Sequence, residues 1–425
     1  MNSEEGILQI LEKELVLALG CTDPAGIAYA AAYARKYGKG EIQSISLELS
    51  SNIIKNASAV CIPNTNGRCG IPLAAALGAI GGIQENKLEV FSGITEEHLK
   101  QAFHFLSEGG VQVRVAKEKD KLFIRLNLKT SQDQVELVIR DNYTNVVQLY
   151  VNQEVVQSFS DIYLEGGENE TGPGLSLTNI LSFAENVPLE KLGVIYQAID
   201  WNMAIAKEGL RKEYGISVGR NIQESVERGV LAEDMASVAM MWVAAATDAR
   251  MAGLNLPVMS NTGSGNQGLA STVPVISVAE RVGASVEQMV RGVTISSLVT
   301  IYIKNKLGEL SAVCGATIAA VGTACGVVYL LGGREASMLQ ALKSVLGNVA
   351  GMVCDGAKAG CSMKVTTCTQ AAVLSAMMAT AGKGIQGTDG IVDHEEEKTI
   401  DNFIRMATEG MGNMDQVLLD IILDK

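Results

Sequence analysis

The chain has 425 residues, 47% of them hydrophobic, 19% charged and only 4% aromatic, with 44 glycines and a net charge of −13. That length exceeds the size at which one core usually stops growing, so two domains, or one domain with an insertion, are expected. The acidic balance leaves no basic stripe to neutralise phosphates, which excludes nucleic acid as the expected partner and disfavours an anionic membrane surface.

Residues 4–19 read as an amphipathic helix that stops at Gly20. Acids are scattered among its apolar positions, and it lacks the basic start and continuous apolar run of a signal peptide, so a cytoplasmic protein is expected. In that reducing compartment the eight cysteines should be core residues, metal ligands or chemical groups rather than structural disulfides. A second helix is predicted with Asp23 as its N-cap and Pro24 at its first position. IQSISLEL, residues 42–49, alternates as a strand does, and a helix should open at Pro72. A helix opening at Thr95 is followed by VQVRVAK, KLFIRLNLK, QVELVIR and VVQLYV, separated by polar turns. Together these four predict an antiparallel meander with one wet face. The acidic, glycine-rich LEGGENETGPG, residues 164–174, marks a boundary. Beyond Leu175 the periodicity is helical, with no convincing strand. Residues 310–333 carry no charge, yet their many small residues fit a central bundle helix better than a membrane span. The fold class expected is α+β, a large helical domain with a smaller α/β unit. Sixteen methionines and long apolar helices leave room for a homodimer.

His98, His104 and His394 are scattered, which gives little support to a Ser-His-Asp triad or a histidine-rich zinc site. No Cys-x-x-Cys pair is present, so neither a structural zinc site nor a thioredoxin-type couple is indicated. Cys354 and Cys361 enclose DGAKAG, a glycine loop with the wide thiolate spacing that suits an iron–sulfur cluster; two buried thiols would give the same pattern. Cys368 reads as core. Cys21 lies just before a helix start, where free N–H groups and the helix dipole favour a thiolate; Cys69, before Pro72, has similar but weaker standing, and Cys61 reads as packing. NTGSGNQG, residues 261–268, matches G-x-G-x-x-G in letters only, since no parallel βαβ pattern surrounds it. It remains a loop able to cradle a carboxylate or phosphate, with Ser264 and Asn266 as donors. In SSNIIKNASAV, residues 50–60, a Schiff-base role for Lys55 is a loose match, whereas Ser51, Asn52, Lys55 and Asn56 could donate to the carboxylate of a small amino acid.

GCTDPA (20–25), SSNIIKNA (50–57), NTGSGNQG (261–268), CGA (314–316) and CDGAKAGCSMK (354–364), in this order, resemble the L-cysteine desulfidase family. Its members are single-chain relatives of the catalytic chain of the iron–sulfur L-serine dehydratases. The resemblance implies that Cys314, Cys354 and Cys361 hold a [4Fe–4S] cluster; spacing alone singles out only the last two. It also implies that Cys21 works beside the cluster, as base or as provisional fourth ligand. Residues 1–84 would then pack on the helical cluster-binding domain, 166–425, leaving 85–165 as the inserted meander unit. The implied reaction is β-elimination on L-cysteine, giving hydrogen sulfide, pyruvate and ammonia. L-serine dehydration is the close alternative, and a non-catalytic redox sensor is the competing class.

Overall fold

The computed structural model describes residues 3–118, 120–158, 174–308 and 310–424; the expected boundary at 164–174 lies outside them except for Gly174. The fold is α+β, as expected. The first half runs α1 (Ser3–Glu14), β1 (Leu17–Leu19), α2 (Thr22–Tyr37), β2 (Ile42–Leu49), α3 (Ser51–Ala57), α4 (Ile71–Gly81), α5 (Glu96–Ser107) and β3 (Val111–Val115). Then come β4 (Phe123–Thr130), β5 (Gln134–Arg140), β6 (Val146–Val151) and β7 (Glu154–Ser158).

One six-stranded sheet has the order β3-β2-β4-β5-β6-β7. The four-strand meander therefore needs correction at its first member. β2 lies between β3 and β4, antiparallel to β4 and parallel to β3. The parallel pair needs a long crossover, which α3, α4 and α5 supply. Ile45, Leu47 and Leu49 of β2 are buried with Leu126, Leu128, Leu137 and Ile139 of the neighbouring strands, beneath α2 and α4. On the opposite, wetter face Arg125 reaches Glu48 at 2.6 Å and Glu118 at 2.9 Å. At α5 the predicted cap is present: Thr95 Oγ1 accepts from the His98 N–H, and His98 Nδ1 accepts from the Thr95 N–H.

The second half is α6 (Leu177–Asn186), α7 (Gly193–Arg211), α8 (Val218–Glu227), α9 (Met235–Met251), β8 (Pro257–Met259), α10 (Gly265–Arg281), α11 (Val286–Leu307) and α12 (Gly315–Leu330). It closes with α13 (Glu335–Val349), α14 (Cys361–Thr380), α15 (Glu396–Arg405) and α16 (Met414–Leu423). The helix expected over 4–19 ends at Glu14, because Leu17–Leu19 pairs antiparallel with β8, a short strand that the helical periodicity after Leu175 conceals. Residues 315–330 form the central bundle helix, packed among α10, α11, α13 and α14. Gly322 and Gly326 lie against the Ser296 and Gly292 carbonyls of α11, so any side chain there would push the helices apart. Among the described residues no helix is long and apolar enough to cross a membrane.

Among the described residues two large hydrophobic cores result, beside two small clusters. One runs from Ala18 through Leu149 and includes Leu419 of α16. The other joins Ile7, Leu11 and Leu15 of α1 to the helices after residue 177. The residue 1–84 segment thus contributes to both.

Candidate functional site

Cys21 is itself the N-cap of α2, with extended backbone (φ −84°, ψ 138°), so the helix opens two residues before the Pro24 start expected. It is only 4% exposed. Its Sγ donates to Asp23 Oδ2 at 3.6 Å, and Asp23 Oδ1 accepts from Asn56 Nδ2 at 3.1 Å and from the Tyr143 hydroxyl at 2.8 Å. Tyr143 comes from the β5–β6 turn, so the sheet reaches the site. The thiolate expected at Cys21 is not favoured by these surroundings. Burial, and then the neighbouring Asp23 carboxylate, push the thiol up to about 12, outweighing Arg250 and the helix N–H groups. Burial raises Asp23 as well, against its three hydrogen bonds.

Arg250, near the end of α9 and 3% exposed, donates from Nη2 to the Gly20 carbonyl at 2.7 Å and from Nη1 to Asn266 Oδ1 at 2.8 Å. Gly265 makes room for it, since a Cβ there would lie 2.5 Å from Arg250 Nε. The loop before α10 is tight, with Ser264 accepting from the Gln267 N–H as N-cap. Ser264 and Asn266 line the pocket as expected, although both already have partners in the fold.

Cys314 and Cys354, forty residues apart, are set side by side by one antiparallel bridge, Val313↔Val353. The Cys314 N–H donates to the Met352 carbonyl at 2.8 Å and the Cys354 N–H to the Ala312 carbonyl at 2.7 Å. Cys314 then caps α12. From Cys354 the chain turns through Gly356, whose φ of +97° and position against the Lys55 carbonyl leave no room for a side chain. It returns at Cys361, the first residue of α14. Asp355 accepts from Lys358 and Lys364, and these bonds outweigh burial to bring its carboxyl down to about 2. Burial pushes the Cys314 thiol well up, and Cys354, Cys368 and Cys361 add to the effect; Cys361 is raised in the same way. Cys314, Cys354 and Cys361 are each half-buried, and positive charge beside a raised thiol, such as a metal centre supplies, favours its ionised form.

Cys21, Cys314, Cys354 and Cys361 all line one pocket, with Asp23, Asn56, Tyr143, Arg250, Ser264, Asn266 and Lys304. Part of the space among these residues is open to solvent, so a small molecule can enter from outside. Lys304 of α11 is 5% exposed, so two buried cations share the lining with the cysteines. Three buried polar atoms of the lining, Asn56 Oδ1, Arg250 Nε and Gln267 Oε1, have no partner, as expected where a ligand completes a site. Among the described residues no three Cys, His, Asp or Glu side chains converge on a single ion position. The three thiols meet as lining of the one pocket.

Ser51, Asn52 and Lys55 do not line the pocket. Lys55 Nζ donates to Asp415 Oδ1 of α16 at 2.6 Å, and Asn52 Nδ2 to Asp415 Oδ2 at 3.2 Å. Asn56 is the residue of this segment that the pocket receives. Cys368 and Cys325 are buried core, and the three histidines are outside the pocket lining. Sequence reasoning missed Arg250, Lys304 and Tyr143; a lone Asp-Ala-Arg closing the apolar WVAAAT was the one available hint.

Residues 85–420 match the model of a family described as serine dehydratase alpha chain. The chain belongs to the serine dehydratase alpha chain family. Similar proteins span nearly the whole chain. A UPF0597 protein of Oleidesulfovibrio alaskensis is 41% identical over 98% of this chain and 97% of its own. A UPF0597 protein of Actinobacillus pleuropneumoniae is 37% identical over 99% and 98%, and one of Parabacteroides distasonis 36% over 99% and 98%. The serine dehydratase match begins at residue 85, beyond Cys21, Asp23 and Asn56, but takes in all three cysteines of the bridge and glycine loop.

Proposed function

We propose that this chain is an iron–sulfur-dependent lyase that converts L-cysteine and water to hydrogen sulfide, pyruvate and ammonia. The observation that carries this reading is the meeting of Cys314, Cys354 and Cys361 in one pocket with Cys21, Asp23 and two buried cations. The family supports the reaction class. Three soft sulfur donors lining one pocket, with unpartnered polar atoms beside them, suit a [4Fe–4S] cluster held by Cys314, Cys354 and Cys361. Held there, such a cluster would supply Lewis-acid chemistry for the sulfur leaving group.

The remaining work belongs to the chain. Arg250, with Lys304 adding positive charge, holds the substrate carboxylate, and its unpaired Nε gives it a donor to offer. Ser264 and Asn266 fix the loop that keeps the guanidinium in place. Cys21 removes the α-proton after passing its own proton to Asp23, its hydrogen-bond partner. Tyr143 and Asn56 steady that carboxylate. The 2-aminoacrylate released tautomerises and hydrolyses in water without further help.

L-serine is the second reading, favoured by the description of the matched family, because the same site could act on a hydroxyl leaving group. Anaerobic protein reconstituted with iron and sulfide, assayed for pyruvate from L-cysteine and L-serine in parallel, decides between them. Sulfide and pyruvate from L-cysteine are expected, lost together with the brown chromophore in Cys354→Ala. Faster turnover of L-serine would move the assignment to the dehydratase. A chromophore without turnover of either amino acid would overturn the lyase, and no chromophore would overturn the cluster.

A further inference from the structure

Cys61 and Cys69 stand opposite each other in an isolated antiparallel bridge that closes the loop between α3 and α4. One residue inside the pair, the Ile62 N–H donates to the Arg68 carbonyl at 2.8 Å. The 61/69 position is therefore the non-hydrogen-bonded kind, where α-carbons lie about 4.5 Å apart and both side chains leave the same face. That spacing falls within the roughly 4.4–6.8 Å that a disulfide needs. The loop is held by its own bonds: the Thr65 hydroxyl donates to the Ile62 carbonyl at 2.7 Å and accepts from the Arg68 N–H at 3.1 Å. Both cysteines are free thiols, Cys69 exposed and Cys61 half-buried. Burial, and then Cys69, raise the Cys61 thiol, so the two groups sense each other.

We infer that Cys61 and Cys69 form a reversible cross-strand disulfide in the folded protein, with a low-molecular-weight disulfide as the oxidant. The exposed Cys69 thiolate attacks one sulfur of the small disulfide; a mixed disulfide forms and one small thiol leaves. Cys61 then attacks the Cys69 sulfur and displaces the second small thiol. Two protein thiols are oxidised, one small disulfide is reduced, and the two protons end on the two thiols released. The loop backs the pocket directly. Pro63 packs on Gly20, whose Cβ would lie 2.5 Å from the proline ring, and Val60 packs with Cys21. Oxidation thus staples the loop behind the candidate base, at a redox couple distinct from the four pocket thiols.

The test uses the full chain, reconstituted anaerobically, exposed separately to excess glutathione disulfide and to L-cystine. Free thiols are then alkylated and the protein is digested with trypsin without reduction. Cleavage after Lys55, Arg68 and Lys87 puts the two cysteines on separate peptides, 56–68 and 69–87. The expected result is these two peptides joined in both arms, separated by dithiothreitol, and never joined in Cys69→Ser, whose circular dichroism matches that of the parent. Alkylated or separately capped Cys61 and Cys69 in the parent, at the same oxidant excess, would overturn the proposal. Only the choice of L-cystine rests on L-cysteine as substrate; the glutathione arm gives its answer whether or not the protein turns over L-cysteine.

Discussion

Arg250 carries the heaviest demand of any single side chain, because it ties Gly20 to Asn266 and also lines the pocket, where the proposed reading gives it the substrate carboxylate. Arg250→Lys keeps the charge but loses the planar fork. Loss of a charge-assisted hydrogen bond of about 3 kcal/mol predicts a fall in kcat/KM of about 10²-fold, mostly through KM, in steady-state assays with L-cysteine. Asp23→Asn addresses the other side of the site. It leaves a partner for Tyr143 but removes the acceptor of the Cys21 proton, so kcat should fall by about 10²-fold or more with the cluster absorbance intact. The legible part of this site was its sulfur: the glycine loop announced Cys354 and Cys361, while Cys314 needed the family resemblance. Arg250 and Tyr143 stayed hidden because what brings them to the pocket is burial against partners 230 and 120 residues away, which no local pattern records. That the surroundings of Cys21 favour the thiol over the expected thiolate has a related cause: a helix N-terminus lowers a thiol only when desolvation does not win.

Single short elements decide whether the site exists. The Val313↔Val353 bridge aligns two of the three thiols, and Gly356 lets the third return. Gly356→Ala forces a non-glycine residue to a φ of +97° against the Lys55 carbonyl. It should cost about 1–3 kcal/mol and lower the iron bound per chain in reconstitution, even though no cysteine is touched. The ion pair between α3 and α16 is the second such element. The Lys55 side chain is 1% exposed and that of Asp415 22%. Asp415→Ala leaves a buried ammonium without its partner, and an urea titration should show a loss of about 3 kcal/mol. SNIIKNA read as a polar, substrate-facing segment from sequence because nothing in it shows that α16, some 360 residues later, claims Asn52 and Lys55. The same blindness affected β2: its alternation was plain, but its place between β3 and β4 depends on a crossover packed by three helices.

At the scale of the whole molecule, the two cores are stitched by helices drawn from opposite ends of the described chain. α1 belongs to the helical core, and Leu419 of α16 to the core of the sheet. Removing residues 411–425 should therefore loosen the sheet rather than its neighbouring bundle. Hydrogen exchange should show protection in β2 and β4 falling by about 10²-fold, with α11 and α12 little changed. The exchange of ends also has a meaning for birth on the ribosome. The strands of the sheet are complete by residue 158, yet Leu419 is synthesised more than 260 residues later. At about 5–20 residues per second the early unit waits roughly 13–52 s for its last hydrophobic side chain and for the counter-ion of Lys55. During that interval the sheet has all its strands but lacks part of its cover, which makes it a natural client for whatever shields nascent chains, and α16 acts as the seal.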